Sequence, residues 1–285
     1  MQPTALGLLV VAAVLHASWN LLVKRAREKQ VFMWWALIVG TIGFIPLVVI
    51  NWPLPVYIWP YVVCSGVMEA AYFITLIRAY EYGDFSLVYP MARGSAPVFL
   101  TIWAVLFLGD RPRFFGLVGI ALLVLGLVVV GGKAWWDLRK KSVLSSSAIM
   151  LALGTAFCIS IYSAIDGAAV RRVDPLPYTV IVLGLSAVFV APVVLMRYGG
   201  QGAIAEWRTN WLRIILVGVL SQLSYMLVLV VYSIAHVSYA GAIREMSVVI
   251  GAFLGWRLLG EDFGVIRVVG AVLIFAGIVV IAVAG

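Results

Sequence analysis

The sequence has few charged residues, and this shortage decides its class. Charged residues make up 11% and hydrophobic residues 64% of the 285-residue chain, whereas a soluble domain carries roughly 25% charged residues. No stretch is long and polar enough to form a separate soluble domain. Because so apolar a chain could not cover its surface with polar groups in water, lipid is expected to be its solvent.

Cysteine is also scarce, and catalytic motifs are missing. Cys64 and Cys158 lie inside apolar runs with neither metal-ligand spacing nor a disulfide framework. The sequence has no P-loop, no HExxH motif and no cysteine–histidine cluster. We therefore expect no enzyme activity, metal or cofactor, and we expect transport to be driven by a solute gradient or by coupled protons.

Ten apolar segments are long enough to cross a bilayer at about 1.5 Å rise per residue. The first has neither a basic start nor a cleavage site, so it is predicted to be a retained helix rather than a signal peptide. The sequence thus predicts an all-α integral membrane protein with ten transmembrane helices. Their approximate bounds are 4–23, 31–50, 56–80, 86–108, 113–131, 145–168, 176–197, 211–235, 238–258 and 263–284.

The net charge of +8 is interpreted as a signal of topology rather than of nucleic-acid binding. The gaps after even-numbered segments hold only Arg111, Arg113, Arg171 and Arg172, whereas the gaps after odd-numbered segments hold most of the basic residues. Since basic loops stay in the cytoplasm, the gaps after odd-numbered segments are predicted to lie inside it and both termini outside it. The gaps after odd-numbered segments hold Lys24, Arg25, Arg27, Lys29, Arg78, Lys133, Arg139, Lys140, Lys141, Arg197, Arg208, Arg213, Arg257 and Arg267.

The two halves of the chain resemble each other. EAAYFITLIRAY from Glu69 aligns with QLSYMLVLVVYS from Gln222, and RGSAPVFLTIWAVLFLGD from Arg93 aligns with REMSVVIGAFLGWRLLGE from Arg244. We predict one repeat over 1–132, a linker over 133–144 and a second repeat over 145–285. Five helices per copy is an odd number, so the second copy is predicted to be inverted, as alternating access requires.

Three stretches carry a family resemblance: HASWNLLVK in the first helix, YPMARGSAPVF in the fourth, and the LGD and LGE ends of helices four and nine. Together with the length and the duplication, they resemble the EamA branch of the drug/metabolite transporter superfamily. The resemblance implies a metabolite or drug transporter of the bacterial inner membrane, often an exporter, similar to the aromatic amino-acid exporters. It does not name a substrate.

Two arginines, Arg93 and Arg244, occupy equivalent positions in the two copies. Arg93, among Pro90, Gly94 and Pro97, predicts a kinked or unwound helix. An arginine near mid-bilayer suits a carboxylate or phosphate through bidentate hydrogen bonds. The alternative is an ion pair that only braces the halves, formed by Arg93 with Glu69 or Glu245. Glu245 is also a candidate for proton coupling.

A polar residue one turn from a tyrosine occurs in both copies. Glu69 with Tyr72 and Gln222 with Tyr225 each share a helix face, which favours a cavity lined from both halves. Glu69 is a candidate for substrate binding or proton coupling, and interhelical hydrogen bonding is the alternative. Tyr89 is either part of an aromatic wall or an interfacial anchor.

Helix one and its counterpart, helix six, supply the other candidates. His16, Trp19 and Asn20 share one face of helix one. His16 is either a proton carrier or a structural donor, and Trp19 either stacks on substrate or packs. On helix six, Tyr162 is a substrate candidate, while Asp166 either couples protons or lies solvated near the membrane surface.

The leading hypothesis is an exporter of a small amphiphilic or zwitterionic metabolite, such as an amino acid or related organic acid. A flippase for a lipid-linked substrate and an exporter of cationic drugs are the alternatives, and a non-transporting scaffold is less favoured because the loops are short. One chain suffices to enclose a pathway, and a dimer is the alternative oligomeric state.

Overall fold

The computed structural model describes residues 1–24, 26–82, 85–138, 146–259 and 265–284. These residues form helices and connections, with no strand in the described ranges. The helices are α1 Pro3–Lys24, α2 Lys29–Ile50, α3 Trp59–Tyr82, α4 Phe85–Phe107, α5 Phe114–Leu138, α6 Ser146–Ala169, α7 Pro175–Ile234, α8 Val237–Arg244, α9 Met246–Leu259 and α10 Val265–Ala284, and a 3₁₀ turn, Val56–Ile58, precedes α3.

The long helix α7 is interrupted twice. Gly199 takes a φ of 66° and a ψ of 165°, and Asn210 takes a φ of −125° and a ψ of 16°. Gly199 adopts the positive φ without the penalty of a Cβ atom. The parts before Gly199 and after Asn210 coincide with the predicted segments 176–197 and 211–235.

Large apolar side chains lie on the surface and several charged side chains lie in the interior, unlike in a typical soluble protein. Ile50, Phe107, Met150 and Met196 are exposed, while Arg93 and Asp166 are buried. By length and composition, five described stretches could each cross a membrane: Pro3–Val23, Lys29–Ile50, Val56–Leu76, Ser146–Ala169 and Pro175–Ile234. Shorter apolar helical stretches are Met91–Phe107, Phe114–Val129 and Val268–Val283.

Helices α5 and α10, which end the two copies, pack closely and run antiparallel. A Cβ atom added to Gly119 would lie 2.8 Å from the carbonyl oxygen of Gly277, and one added to Gly126 would lie 2.7 Å from that of Gly270. As α5 advances from 119 to 126, its partner runs back from 277 to 270. Because Gly119 aligns with Gly270 and Gly126 with Gly277, the two contacts are reciprocal, as a pseudo-twofold axis produces.

Helices of one copy also pack against helices of the other. A Cβ atom at Gly40 of α2 would lie 2.8 Å from the carbonyl oxygen of Gly218, in the last part of α7. Trp34 Nε1 donates to the carbonyl of Ala187 at 3.0 Å, in the first part of α7. The interior is therefore built jointly by the two halves.

Both chain ends lie at the same end of the helix bundle. The amino group of Met1 donates to the carbonyl of Ala282 at 3.1 Å. A Cβ atom at Gly119, early in α5, would lie 2.7 Å from Ile281. The connection between α4 and α5 therefore lies at this end as well, and we call this end the terminal face.

Candidate functional site

Helix α4 carries Arg93 into the interior. The helix runs without a break from Phe85 to Phe107 despite Pro90 and Pro97, so the expected unwinding around Arg93 is not found. The Arg93 side chain is 6% exposed. An arginine so deep in an apolar bundle requires an anionic partner, because an unpaired buried charge is costly.

That partner is Glu245, which belongs to the other copy. Arg93 Nε lies 2.8 Å from Glu245 Oε2, and Arg244 Nε donates to Glu245 Oε1 at 3.4 Å. Glu245 is fully buried. One carboxylate thus serves both predicted arginines, and we call Arg93, Arg244 and Glu245 the ion cluster. Glu245 is one of the two partners predicted for Arg93.

A break in the helix places Glu245 between the arginines. Glu245 separates α8 from α9, with a φ of −68° and a ψ of −7°. Its N–H donates to the carbonyl of Ala242 at 3.1 Å, and its own carbonyl accepts from Val248 at 2.9 Å. These i to i+3 bonds replace the α-helical pattern over one turn. The predicted continuous helix 238–258 is therefore wrong at this point.

Helix α1 reaches the ion cluster through His16. His16 Nε2 lies 3.5 Å from Arg93 Nη2, and the His16 ring packs edge-on against Trp19 with centroids 4.7 Å apart. Asn20 Nδ2 donates to the carbonyl of His16 at 2.7 Å. The Nδ2 group of Asn20 is thus engaged in the backbone of α1, and a role of Asn20 in substrate binding stays a prediction.

Asp166 of α6 is fully buried, which excludes the alternative of a solvated side chain, and its role in proton coupling stays a prediction. Tyr178 OH donates to Asp166 Oδ1 at 2.7 Å, and Tyr225 OH donates to Asp166 Oδ2 in a short hydrogen bond. Two hydroxyl donors satisfy the carboxyl group in place of water. Sequence reasoning missed Tyr178, since nothing in its neighbourhood marks it as a partner of Asp166.

The predicted tyrosines come together beside Asp166. The Tyr162 ring packs edge-on against Tyr72 and against Tyr225, with centroid distances of 6.1 Å and 6.2 Å. Tyr162 is buried, and Tyr72 and Tyr225 are half-buried. They form an aromatic wall shared by α3, α6 and the last part of α7. The side chain of Tyr89, the other predicted aromatic, lies outside the described part of the protein.

Buried polar atoms around these helices remain unsatisfied. Among the described residues, Glu69 Oε2, Gln222 Nε2 and Trp19 Nε1 have no hydrogen-bond partner. Glu69 is 5% exposed and Gln222 is 1% exposed. Since buried polar groups are nearly always paired, these atoms are candidates to meet a polar ligand. Glu69 and Gln222 are the repeat-equivalent pair that the sequence predicted.

The model of the EamA-like transporter family matches the chain twice, over residues 3–132 and 146–283. The chain belongs to this family. No curated protein matches it. One solved protein, described only as a crystal structure of a protein, matches 100% of each chain at 15% identity and a TM-score of 0.77. At that identity the likeness shows the shared fold alone.

Membership of the EamA-like family makes this protein a multi-pass membrane transporter of the drug/metabolite superfamily. The two matched ranges confirm the two-repeat organisation. Helix α5 continues to Leu138, and residues 139–145 lie outside the described part, so the bounds of the linker remain a prediction. The ion cluster joins α4 of the first matched range to the α8–α9 break of the second.

Proposed function

We propose that this protein is a secondary transporter that works by alternating access and exports a small amphiphilic or zwitterionic metabolite, such as an amino acid or a related organic acid. The observation that carries the proposal is the buried ion cluster, with Arg93 from one copy and Glu245 and Arg244 from the other. Charges in the bilayer core are costly and mark substrate pathways.

The mechanism needs two inverted five-helix copies and ten membrane crossings. Reciprocal antiparallel packing of α5 and α10 supports the inversion. Both termini at one face support an even number of crossings, and the two breaks in α7 allow that run to cross twice. Rocking of inverted copies around a fixed central site is a recurrent transport mechanism.

In the proposed binding mode, the substrate carboxylate takes the place of Glu245 on Arg93 and Arg244. Removing one partner of a buried ion pair costs about 3–5 kcal/mol, because the other charge is left uncompensated. A substrate anion that replaces Glu245 keeps the arginines paired, so the exchange avoids most of that cost. This favours an anionic group on the substrate over a purely cationic drug.

The remaining groups suit the other end of such a substrate. Glu69, with its unsatisfied carboxyl oxygen, is proposed to bind an amine or to carry a coupling proton. The wall of Tyr72, Tyr162 and Tyr225 would hold the apolar body of the substrate. Asp166, His16 and the displaced Glu245 are further candidates for carrying the coupled proton.

We place the transporter in the bacterial inner membrane with the terminal face outside the cytoplasm. The connections at this face hold Arg111, Arg113, Arg171 and Arg172, whereas most other basic residues lie in the opposite connections. Export, a monomeric pathway and proton coupling complete the proposal.

A ligand screen by thermal shift tests the substrate class. The panel comprises zwitterionic amino acids with apolar side chains, the matching amines without a carboxylate, and the matching acids without an amine. Zwitterions are expected to stabilise the purified protein and Arg93→Ala to lose that response. Stabilisation by amines alone, retained in Arg93→Ala, would contradict the assignment and favour a cationic drug.

A further inference from the structure

Another buried acid, Asp110, lies far along α4 from the ion cluster, just after the helix ends at the terminal face. Asp110 follows Gly109, which has a φ of 68° and turns the chain. The Asp110 residue is 2% exposed. It belongs to the LGD sequence that aligns with the LGE of the second copy, and the proposed transport site does not use it.

The described partners of the Asp110 carboxyl group come from the second copy. Arg171 Nη2 donates to Asp110 Oδ1 at 2.9 Å, and His236 Nδ1 lies 3.3 Å from the same oxygen. Asp110 Oδ2 accepts from the backbone N–H of Ser238 at 3.1 Å and from Ser238 Oγ at 3.0 Å. Arg171 belongs to the α6–α7 connection, and His236 and Ser238 belong to the start of α8.

Neighbouring contacts also join the first copy to the second. Arg171 Nη1 donates to the carbonyl of Leu108 at 2.8 Å, and the backbone N–H of Arg113 donates to Tyr239 OH at 2.9 Å. The α4–α5 connection of the first copy is thus held at Leu108, Asp110 and Arg113 by the second copy. Tyr239, an aromatic early in predicted helix nine, therefore serves this contact.

The contact also supplies something that α8 lacks by itself. The first turn of a helix leaves N–H groups unsatisfied, and the N-cap side chain usually accepts from them. The N-cap residue of α8, His236, makes no such side-chain bond. Asp110 accepts from the α8 N-terminus instead, across the boundary between copies. The start of the helix that leads to Glu245 is therefore fixed by the other half.

The exposure of these residues grades from inside to outside. The side chain of Asp110 is 1% exposed, that of Arg171 is 32% exposed and that of His236 is 49% exposed. Asp110 therefore lies beneath Arg171 and His236 at the terminal face. If the two copies rock apart at the terminal face, these contacts between them must break.

We propose that Asp110, Arg171 and Ser238 form a gate that holds the terminal face closed in this conformation, and that its opening exposes the ion cluster to that side. The gate rests on the alternating-access mechanism proposed above. A structural brace would make the same contacts but would not control access to the interior, so access is the quantity to measure.

The reporter is a single cysteine beside the ion cluster. Ser163 is fully buried and accepts from Arg244 Nη1 at 3.4 Å, so Ser163→Cys is a small change at a suitable depth. Cys64 and Cys158, which have no disulfide partner, are replaced by alanine. A membrane-impermeant maleimide is applied to sealed vesicles of each orientation, with an N-terminal epitope tag identifying the terminal face.

Asp110→Asn and Arg171→Gln are the test variants. Each is expected to raise the labelling rate from the terminal face by roughly ten-fold or more, since loss of charged contacts shifts the population toward the open state. Labelling from the opposite face should fall or stay unchanged. If Asp110→Asn does not fold, Arg171→Gln decides the result alone.

Asp174, on the same face, is the matched control. It accepts from the N–H of Leu176 at 2.8 Å, within its own helix start. Asp174→Asn should leave the labelling rate unchanged. An equal increase in this control would overturn the gate.

The two proposals fail in different ways. If no test variant increases labelling from the terminal face while the reporter is still labelled from the opposite face, the gate is wrong and the proposed transport site stands. If the reporter is labelled from neither face in any variant, the interior does not open and both proposals fall.

Discussion

The stretch of α4 around Arg93 and the repeat-equivalent stretch around Arg244 are similar in sequence but differ in structure. Arg93 lies within one unbroken helix, whereas Arg244 ends α8 and α9 begins two residues later. The residue after each arginine differs too: Gly94 in the first copy and Glu245 in the second. The two copies thus contribute two arginines and a single acid to the ion cluster.

This difference shows how a duplicated scaffold becomes an asymmetric site. A carboxylate at position 245 draws both arginines together, and the helix breaks at the position where that carboxylate enters. Gly94 leaves α4 continuous, and a Cβ atom added there would lie 3.6 Å from Leu127, which is ordinary contact. The acid, rather than the arginines, distinguishes the copies.

The largest effect on this comparison is expected from removing the acid of the ion cluster, Glu245. Glu245→Gln removes the carboxylate that pairs with both buried arginines, Arg93 and Arg244, so we expect the free energy of unfolding to fall by about 3–5 kcal/mol. Equilibrium unfolding in mixed detergent measures the change.

Glu206→Gln is the matched control for Glu245→Gln. Glu206 is 6% exposed and accepts a 2.7 Å hydrogen bond from Asn210, which glutamine can also accept. A small loss is expected here. Losses of similar size in the two variants would mean that the ion cluster has no special role in stability.

A double-mutant cycle sharpens the comparison between the arginines. Arg93 lies 2.8 Å from Glu245 and Arg244 lies 3.4 Å away. We expect a coupling energy of about 1–3 kcal/mol for Arg93→Ala with Glu245→Gln, and a smaller value for Arg244→Ala with Glu245→Gln. A larger coupling for Arg244 would reverse the order of the two contacts.

The smallest effect is expected at Gly94 itself. Gly94→Ala should leave stability nearly unchanged, because the added methyl group has room. By contrast, a Cβ atom at Gly277 would lie 2.6 Å from the carbonyl oxygen of Gly119, so Gly277→Ala should destabilise by about 1–3 kcal/mol. Thermal unfolding of the two variants side by side checks the contrast, and equal melting temperatures would contradict it.

The sequence predicted the parts of the fold that depend on hydropathy and duplication. The apolar runs locate the helices, and the alignment of Arg93 with Arg244 identified two members of the ion cluster. Both signals are local or repeat along the chain, so they survive without knowledge of the packing.

The parts it missed depend on contacts between distant helices. Pro90, Gly94 and Pro97 predicted a kinked or unwound α4, and the helix is not unwound there. The break at Glu245 has neither proline nor glycine beside it. An ion pair between copies accounts for that position better than local propensity does. The two alternatives for Asp166 stayed open for the same reason, because its burial follows from Tyr178 and Tyr225 on another helix.

Solute counterflow in proteoliposomes tests the central claim most directly, using a zwitterion selected by the thermal-shift screen. If the transport site is the polar interior that both copies build, wild-type protein and Glu206→Gln will exchange the solute. Arg93→Ala and Glu69→Gln will then exchange it at least about a hundred-fold more slowly, the loss expected for one charged contact. Wild-type rates in both of those variants would contradict the account.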